Sequence, residues 1–330
     1  MIYYGLCGKD QKGKFPLTPQ VGNLSIRASW AYVEPSPGQF QWDRIDAALA
    51  ALPQGGVAGL TIHPGNNSPA WVMQQVAHIT MPDNTQFPAP WDAKFLQSLI
   101  KLIQAVGQKY NSEQRIKHIL IPALSAKTAE NNLNNITKTS MSGGVPGHDT
   151  GTPDQILAYW TSVGYSPQNA LLAVQQNIKA MHRYITQPCA ITFPGLYGGL
   201  DFDLVNGKAA VDAIHAWYAQ QPNIRIYNCG ASSNWVFPKS YYSYIPYVYQ
   251  ELAPLGTQKQ FNQMMNLIHA QGVTELEVYL ADLKYVPNAP STLSSELPAT
   301  AEEAAAASFE NYRGEYEPDA EGDNPEDSDD

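Results

Sequence analysis

The 330-residue chain has little cysteine and no long apolar run. Three cysteines, Cys7, Cys189 and Cys229, are an odd number and form no CxxC pair. That argues against a disulfide framework and against a structural zinc site. No apolar stretch reaches the roughly 20 residues that cross a bilayer, so no membrane partner is expected. The first fifteen residues, MIYYGLCGKDQKGKF, lack a basic leader followed by an apolar segment. The expectation is a cytoplasmic product, or a secreted one whose leader has been removed. A basic stripe is missing too. The formal charge is -10, but Glu302–Asp330 alone holds twelve acids and one base, Arg313. Subtracting these from the totals of 30 acids and 20 bases leaves 18 and 19, a nearly neutral body. Nucleic acid is therefore set aside as a partner.

What is present is a large apolar fraction, 44%, and 19 Tyr with 7 Trp. The chain alternates β-rich apolar runs with helical patterns. The runs are IYYGL (2–6), LSIRASW (24–30), VAGLTI (57–62), HILIPAL (118–124), CAITF (189–193), IRIYN (224–228), YVYQEL (247–252) and ELEVYL (275–280). Helical spacing of apolar residues appears at 42–52, 93–110, 169–185 and 257–270. Asp43 and Asp92 fit the first turns of two of these helices.

Eight runs mostly separated by helices predict an α/β chain, a single (β/α)8 TIM barrel over residues 1–296. The alternative is an open doubly wound sheet. It lacks its Gly-rich phosphate turn, because GLCGKDQKG has the wrong glycine spacing. Residues 297–330 are too acidic and too poor in apolar surface to order themselves, and read as a disordered tail. The polar stretch 131–168 reads as an insert overhanging the carboxyl ends of the strands.

On such a barrel the chemistry sits where strands end. The ends offer Arg27, Trp30 and Glu34; His63, Asn66 and Asn67; Ser125, Lys127 and Glu130; Tyr227 and Asn228; Gln250 and Glu251; Tyr279 and Asp282. Cleavage of a glycosidic bond needs two carboxylates: one protonates the leaving oxygen, the other attacks or activates water. The fourth and seventh strands lie across the mouth, so Glu130 and Glu251 are the pair that faces a bound sugar. An arginine at Arg27 would depress a neighbouring carboxyl pKa by about 1–3 units, and Tyr227 would donate to the same group. Each has a plain structural reading as well: a solvated loop acid, a salt bridge, a buried core histidine, or a turn cap at Glu34. Trp30, Trp71, Trp91, Trp235, Tyr241 and Tyr242 are candidate faces for a sugar ring, or wedges between helix and barrel. The His and acid spacings form no metal-ligand set, and the chemistry requires neither metal nor cofactor.

RASWAYVEPSPGQFQWDRIDAAL (27–49) resembles the R…W…EP.pG.f.w..lD signature of barrel glycosidases related to β-galactosidases. TIHPGNNSPAWV (61–72) and PAPWDAKFLQSLIKLIQAVGQKY (88–110) resemble the following blocks of those proteins. The resemblance covers residues 24–130 and short pieces around Glu251. It implies a retaining glycosidase with Glu130 as acid/base, Glu251 as nucleophile and Arg27 supporting Glu251. By position His63, Asn66, Trp71, Asn228, Trp235, Gln250 and Tyr279 would line the sugar site beside Trp30 and Tyr227. One departure stands out. That clan ends its fourth strand in Asn-Glu, whereas LSAKTAE has Ala129 before Glu130. A carbohydrate-binding barrel without turnover would carry the same mark. A barrel lyase or aldolase would need an inner-strand lysine, and only Lys127 lies near one.

Overall fold

A computed structural model describes residues 2–7, 17, 21–81, 84–126, 131, 133, 136, 153–192, 220–221, 223–231, 233, 247–251 and 255–287. Eight parallel strands close on themselves. They are β1 (Ile2–Cys7), β2 (Asn23–Ser29), β3 (Ala58–His63), β4 (Ile116–Leu120), β5 (Cys189–Thr192), β6 (Ile224–Ala231), β7 (Tyr247–Glu251) and β8 (Glu275–Val278). Each pairs with its sequence neighbours, and β1 pairs with β8 to close the barrel. Each of the eight apolar runs overlaps one of these strands. A separate antiparallel ribbon joins His78–Thr80 to Gln86–Pro88.

Helices α1 (Trp30–Val33), α2 (Asp43–Ala51), α3 (Ala70–Met73), α4 (Ala93–Tyr110), α5 (Pro153–Ser162), α6 (Pro167–Tyr184) and α7 (Gln258–Ala270) accompany the strands. Their starts are local chemistry. Asp92 accepts the Lys94 and Phe95 N–H groups at the head of α4, Ser166 accepts that of Asn169 and Thr257 that of Gln260. Outward-facing Leu24, Ile26, Leu60, Ile62, Ile119 and Leu276 are buried in one continuous core with Phe95, Leu99, Ile103 and Phe261 of the helices. Gly107 lets α4 approach α6 closely, since a Cβ there would lie 2.0 Å from the Tyr184 carbonyl oxygen.

Of the stretch 131–168, expected as a polar overhang, most of 131–152 lies outside the described residues. Its second half is helix α5 and the lead into α6. Trp160 on α5 is fully buried and donates its indole N–H to the Leu133 carbonyl at 2.7 Å. The amphipathic stretch Ile156–Trp160 outweighs the polar residues around it. Residues 288–330, including the acidic tail, lie outside the described residues. Among the described residues, no helix is long and apolar enough to cross a membrane, and no three His, Cys, Asp or Glu are grouped to hold a metal.

Candidate active site

Side chains of non-neighbouring strands meet only along the barrel axis, so their contacts reveal which faces point inward. Low in the barrel, Tyr4 of β1 and Tyr227 of β6 flank His118 of β4, with ring centroids 6.0 and 5.9 Å away. The Tyr4 hydroxyl donates to Glu275, which also pairs with Arg225 at 2.7 Å. Burial holds His118 neutral, lowering its pKa to about 3. Leu120, Ala190, Tyr227 and Val248 form a small apolar cluster from β4 through β7.

Above it sits the polar layer that matters most. Arg27 of β2 donates to Gln250 of β7, to Tyr227 at 3.4 Å and to Glu277 of β8 at 3.2 Å. Gln250 and Glu277 are register partners on adjacent strands. Glu277 is fully buried. Burial raises its pKa, while Arg27 and the Ser25 hydroxyl work in the opposite direction. The Gln250 amide nitrogen reaches the Tyr279 hydroxyl at 3.4 Å. Four residues read as site candidates from sequence, Arg27, Tyr227, Gln250 and Tyr279, are thus brought together across the barrel.

Glu251 follows Gln250 and has different neighbours. Its Oε2 accepts the Tyr279 backbone N–H at 2.7 Å. Its Oε1 is buried without a hydrogen-bond partner among the described residues. Burial pushes the carboxyl well above the usual carboxylate range, nearby Asp282 adds to this, and the Tyr279 N–H opposes it. Asp282 itself holds the Leu255 and Gly256 N–H groups. The expected support of Glu251 by Arg27 is replaced by the contact with Gln250. Successive strand residues face opposite ways, and a register shift between Asn228 and Ala231 adjusts the pairing of β6 with β7 near Glu251.

Trp30 is a second correction. It is fully buried, not open to a ligand; its indole N–H donates to Glu34 at 2.8 Å and its ring meets Trp71 and Phe95 edge-on. Glu34 also accepts the Gly38 N–H, and Trp71 donates to the Glu34 carbonyl. Trp71 stays half-buried at this edge. His63 is buried at the end of β3, in register with Ser29. Asn66 lies in a 3-10 turn, Gly65–Asn67, where its backbone N–H donates to the Ala126 carbonyl. Gly65, at φ +71°, is required there because a Cβ would lie 2.2 Å from that oxygen. Asn228 is in β6, but its side chain lies outside the described residues, as do Glu130, Trp235, Lys127, Tyr241 and Tyr242 entirely. Sequence reasoning missed Glu277 as a site residue. The signal was the alternation in ELEVYL, which sets Glu275, Glu277 and Tyr279 on one face.

No protein-family model matches the chain, and no curated protein matches it in sequence. Solved structures do match. Endo-glycoceramidase II from Rhodococcus sp., in a cellobiose-like imidazole complex, covers 89% of this chain and 77% of its own at 12% identity, with a TM-score of 0.51. The same enzyme in a five-membered iminocyclitol complex covers 92% and 78% at 11% identity, also at 0.51. The chain has their fold. A β-galactosidase from Bacillus circulans sp. alkalophilus matches at 0.48, covering 84% of this chain and 50% of its own at 11% identity. With identity so low, the two matches at 0.51 show the fold alone and leave the site to be argued from its own residues.

Proposed function

We propose that this chain is a glycoside hydrolase cleaving a glycosidic bond in an oligo- or polysaccharide with retention, Glu251 being the nucleophile and Glu130 the acid/base. What supports the reading is the Glu251 carboxyl at the last residue of β7, one oxygen held by the Tyr279 N–H and the other without a hydrogen-bond partner among the described residues. Since Gln250 occupies the axial side of β7, the mechanism requires the Glu251 side chain to turn toward the mouth. The barrel matches above, to an enzyme whose complexes are with sugar-like compounds, support it. In this mechanism Glu251 attacks the anomeric carbon as Glu130 gives its proton to the departing oxygen. Glu130 then takes a proton from water, which displaces Glu251 and frees the sugar. The two carboxyls must stand about 5–5.5 Å apart, the spacing retention requires. Atoms balance with water alone as co-reactant.

A second reading has its own observation. Arg27 is turned to the neutral amide of Gln250, and burial biases Glu251 toward its uncharged form. A barrel that binds carbohydrate without turning it over fits that arrangement. One comparison separates the two: a panel of aryl glycosides offered to the wild type and to Glu251→Gln. The hydrolase reading expects aryl release by the wild type and a loss of roughly 10³-fold or more in the variant, as removal of a covalent-catalysis group gives. Equal rates in the two proteins would remove Glu251 from the chemistry. Sugar binding with no release by either protein would establish the binding barrel.

A further inference from the structure

The layer formed by Arg27, Gln250 and Glu277 specifies what kind of group it receives. Arg27 has no acceptor, so the amide oxygen of Gln250 must face it. That fixes the amide nitrogen on the opposite side, toward Tyr279. The distance there is 3.4 Å, beyond the usual range of about 2.7–3.2 Å, and Nε2 carries two N–H bonds. Gln250 therefore keeps unspent donor capacity. Beside it, Glu277 gives Oε2 to Arg27, and the buried Ser25 hydroxyl also acts on its carboxyl. Among the described residues, the charges disfavour an anion. Glu277 already answers Arg27, and a second carboxylate or a phosphate beside Glu277 would be repelled.

We infer that Gln250 is a specificity-determining residue at the carboxyl end of β7: its amide N–H donates to a hydroxyl of a neutral sugar, with Glu277 as the buried charge behind it. A neutral hydroxyl accepts such a bond without bringing a charge beside Glu277. The inference rests on the carbohydrate reading but not on turnover.

The test is calorimetric titration of the full chain with cellobiose, lactose and maltose, then with monodeoxy analogues of whichever binds and with a glucuronate-containing disaccharide. The wild type should favour the neutral parent by about tenfold over one monodeoxy analogue, the scale of one buried hydrogen bond. It should bind the uronate more weakly. Gln250→Met, which keeps the volume and removes both amide ends, should bind the parent about tenfold more weakly and equate it with that analogue. Gln250→Met that discriminates as the wild type does would overturn the inference. So would tighter binding of the uronate, which needs no variant to fold. A wild type that binds none of the three sugars would bring down the carbohydrate reading, and this inference with it.

Discussion

Arg27 and Trp30 stand three residues apart in one sequence motif yet belong to clusters with different work. From Trp30 the contacts run outward: Glu34 holds the indole and the Gly38 N–H, Trp71 holds the Glu34 carbonyl, and Phe95 of α4 packs behind. Further along the same motif, Trp42 stacks on Phe40 and meets Tyr110 edge-on, while Asp46 accepts from Lys109 and Tyr110. From Arg27 the contacts run inward, to β6, β7 and β8. The comparison teaches that a contiguous motif can be mostly scaffold. Its residues are close in sequence because they staple one strand to the helices that follow it. The axial cluster has no motif, because each member comes from a different strand.

The comparison breaks most visibly at Trp30. Trp30→Ala should destabilise the protein by roughly 3–5 kcal/mol, the usual cost of emptying a buried aromatic site. It also strands the Glu34 oxygen that accepted the indole N–H. Urea unfolding should show the loss, and sugar affinity per folded molecule should not change. A Trp30→Ala protein as stable as wild type, or one stable but blind to sugar, would put Trp30 in the site after all.

Arg27 sharpens the other side. Its side chain is only 11% exposed and pairs with a fully buried Glu277. Removing one member of a buried pair typically costs about 3–5 kcal/mol, and the residual exposure of Arg27 points to the low end. Arg27→Met should thus cost nearly as much as Trp30→Ala. Adding Glu277→Gln should recover much of it, because the stranded charge is then gone. Double-mutant unfolding data measure the coupling. Additive losses would mean that the two groups do not act as a pair.

The fold was legible because its outward faces obey a simple rule. Leu24, Ile26, Leu60, Ile62 and Leu276 must be apolar to meet the helices, and they mark the strands. The inner layers were less legible. In ELEVYL the leucine, valine and leucine drew attention as an apolar run, while the alternating Glu275, Glu277 and Tyr279 marked the barrel axis. Arg27, Tyr227, Gln250 and Tyr279 were readable as strand-end residues, but their convergence was not. Which of Gln250 and Glu251 meets Arg27 depends on pleat and register, and a one-residue change reverses the answer. The shift between Asn228 and Ala231 has no sequence mark as plain as a glycine turn.

The most gradual effect, spread over pH, and the one that bears on Glu251, is its pH linkage. Its folded pKa is raised above the unfolded value by burial and by Asp282. A carboxyl of this kind stabilises the fold in its protonated form. That contribution is complete below the unfolded pKa, near 4.5, and is lost as pH rises through the folded pKa. Glu251→Gln keeps the uncharged shape and cannot ionise. At pH 4 the two proteins should therefore be close in stability. As pH rises above 4.5, the variant should gain on the wild type by at most about 1.4 kcal/mol per pH unit, then level off once Glu251 is ionised in both states. Glu277 is raised in the same direction but is present in both proteins, so it cancels in the difference. Urea unfolding of the pair from pH 4 to 8 reads the curve. A difference that stays flat would mean that Glu251 titrates alike folded and unfolded, as a solvated loop carboxylate does, and that its burial at the end of β7 is not the state in solution.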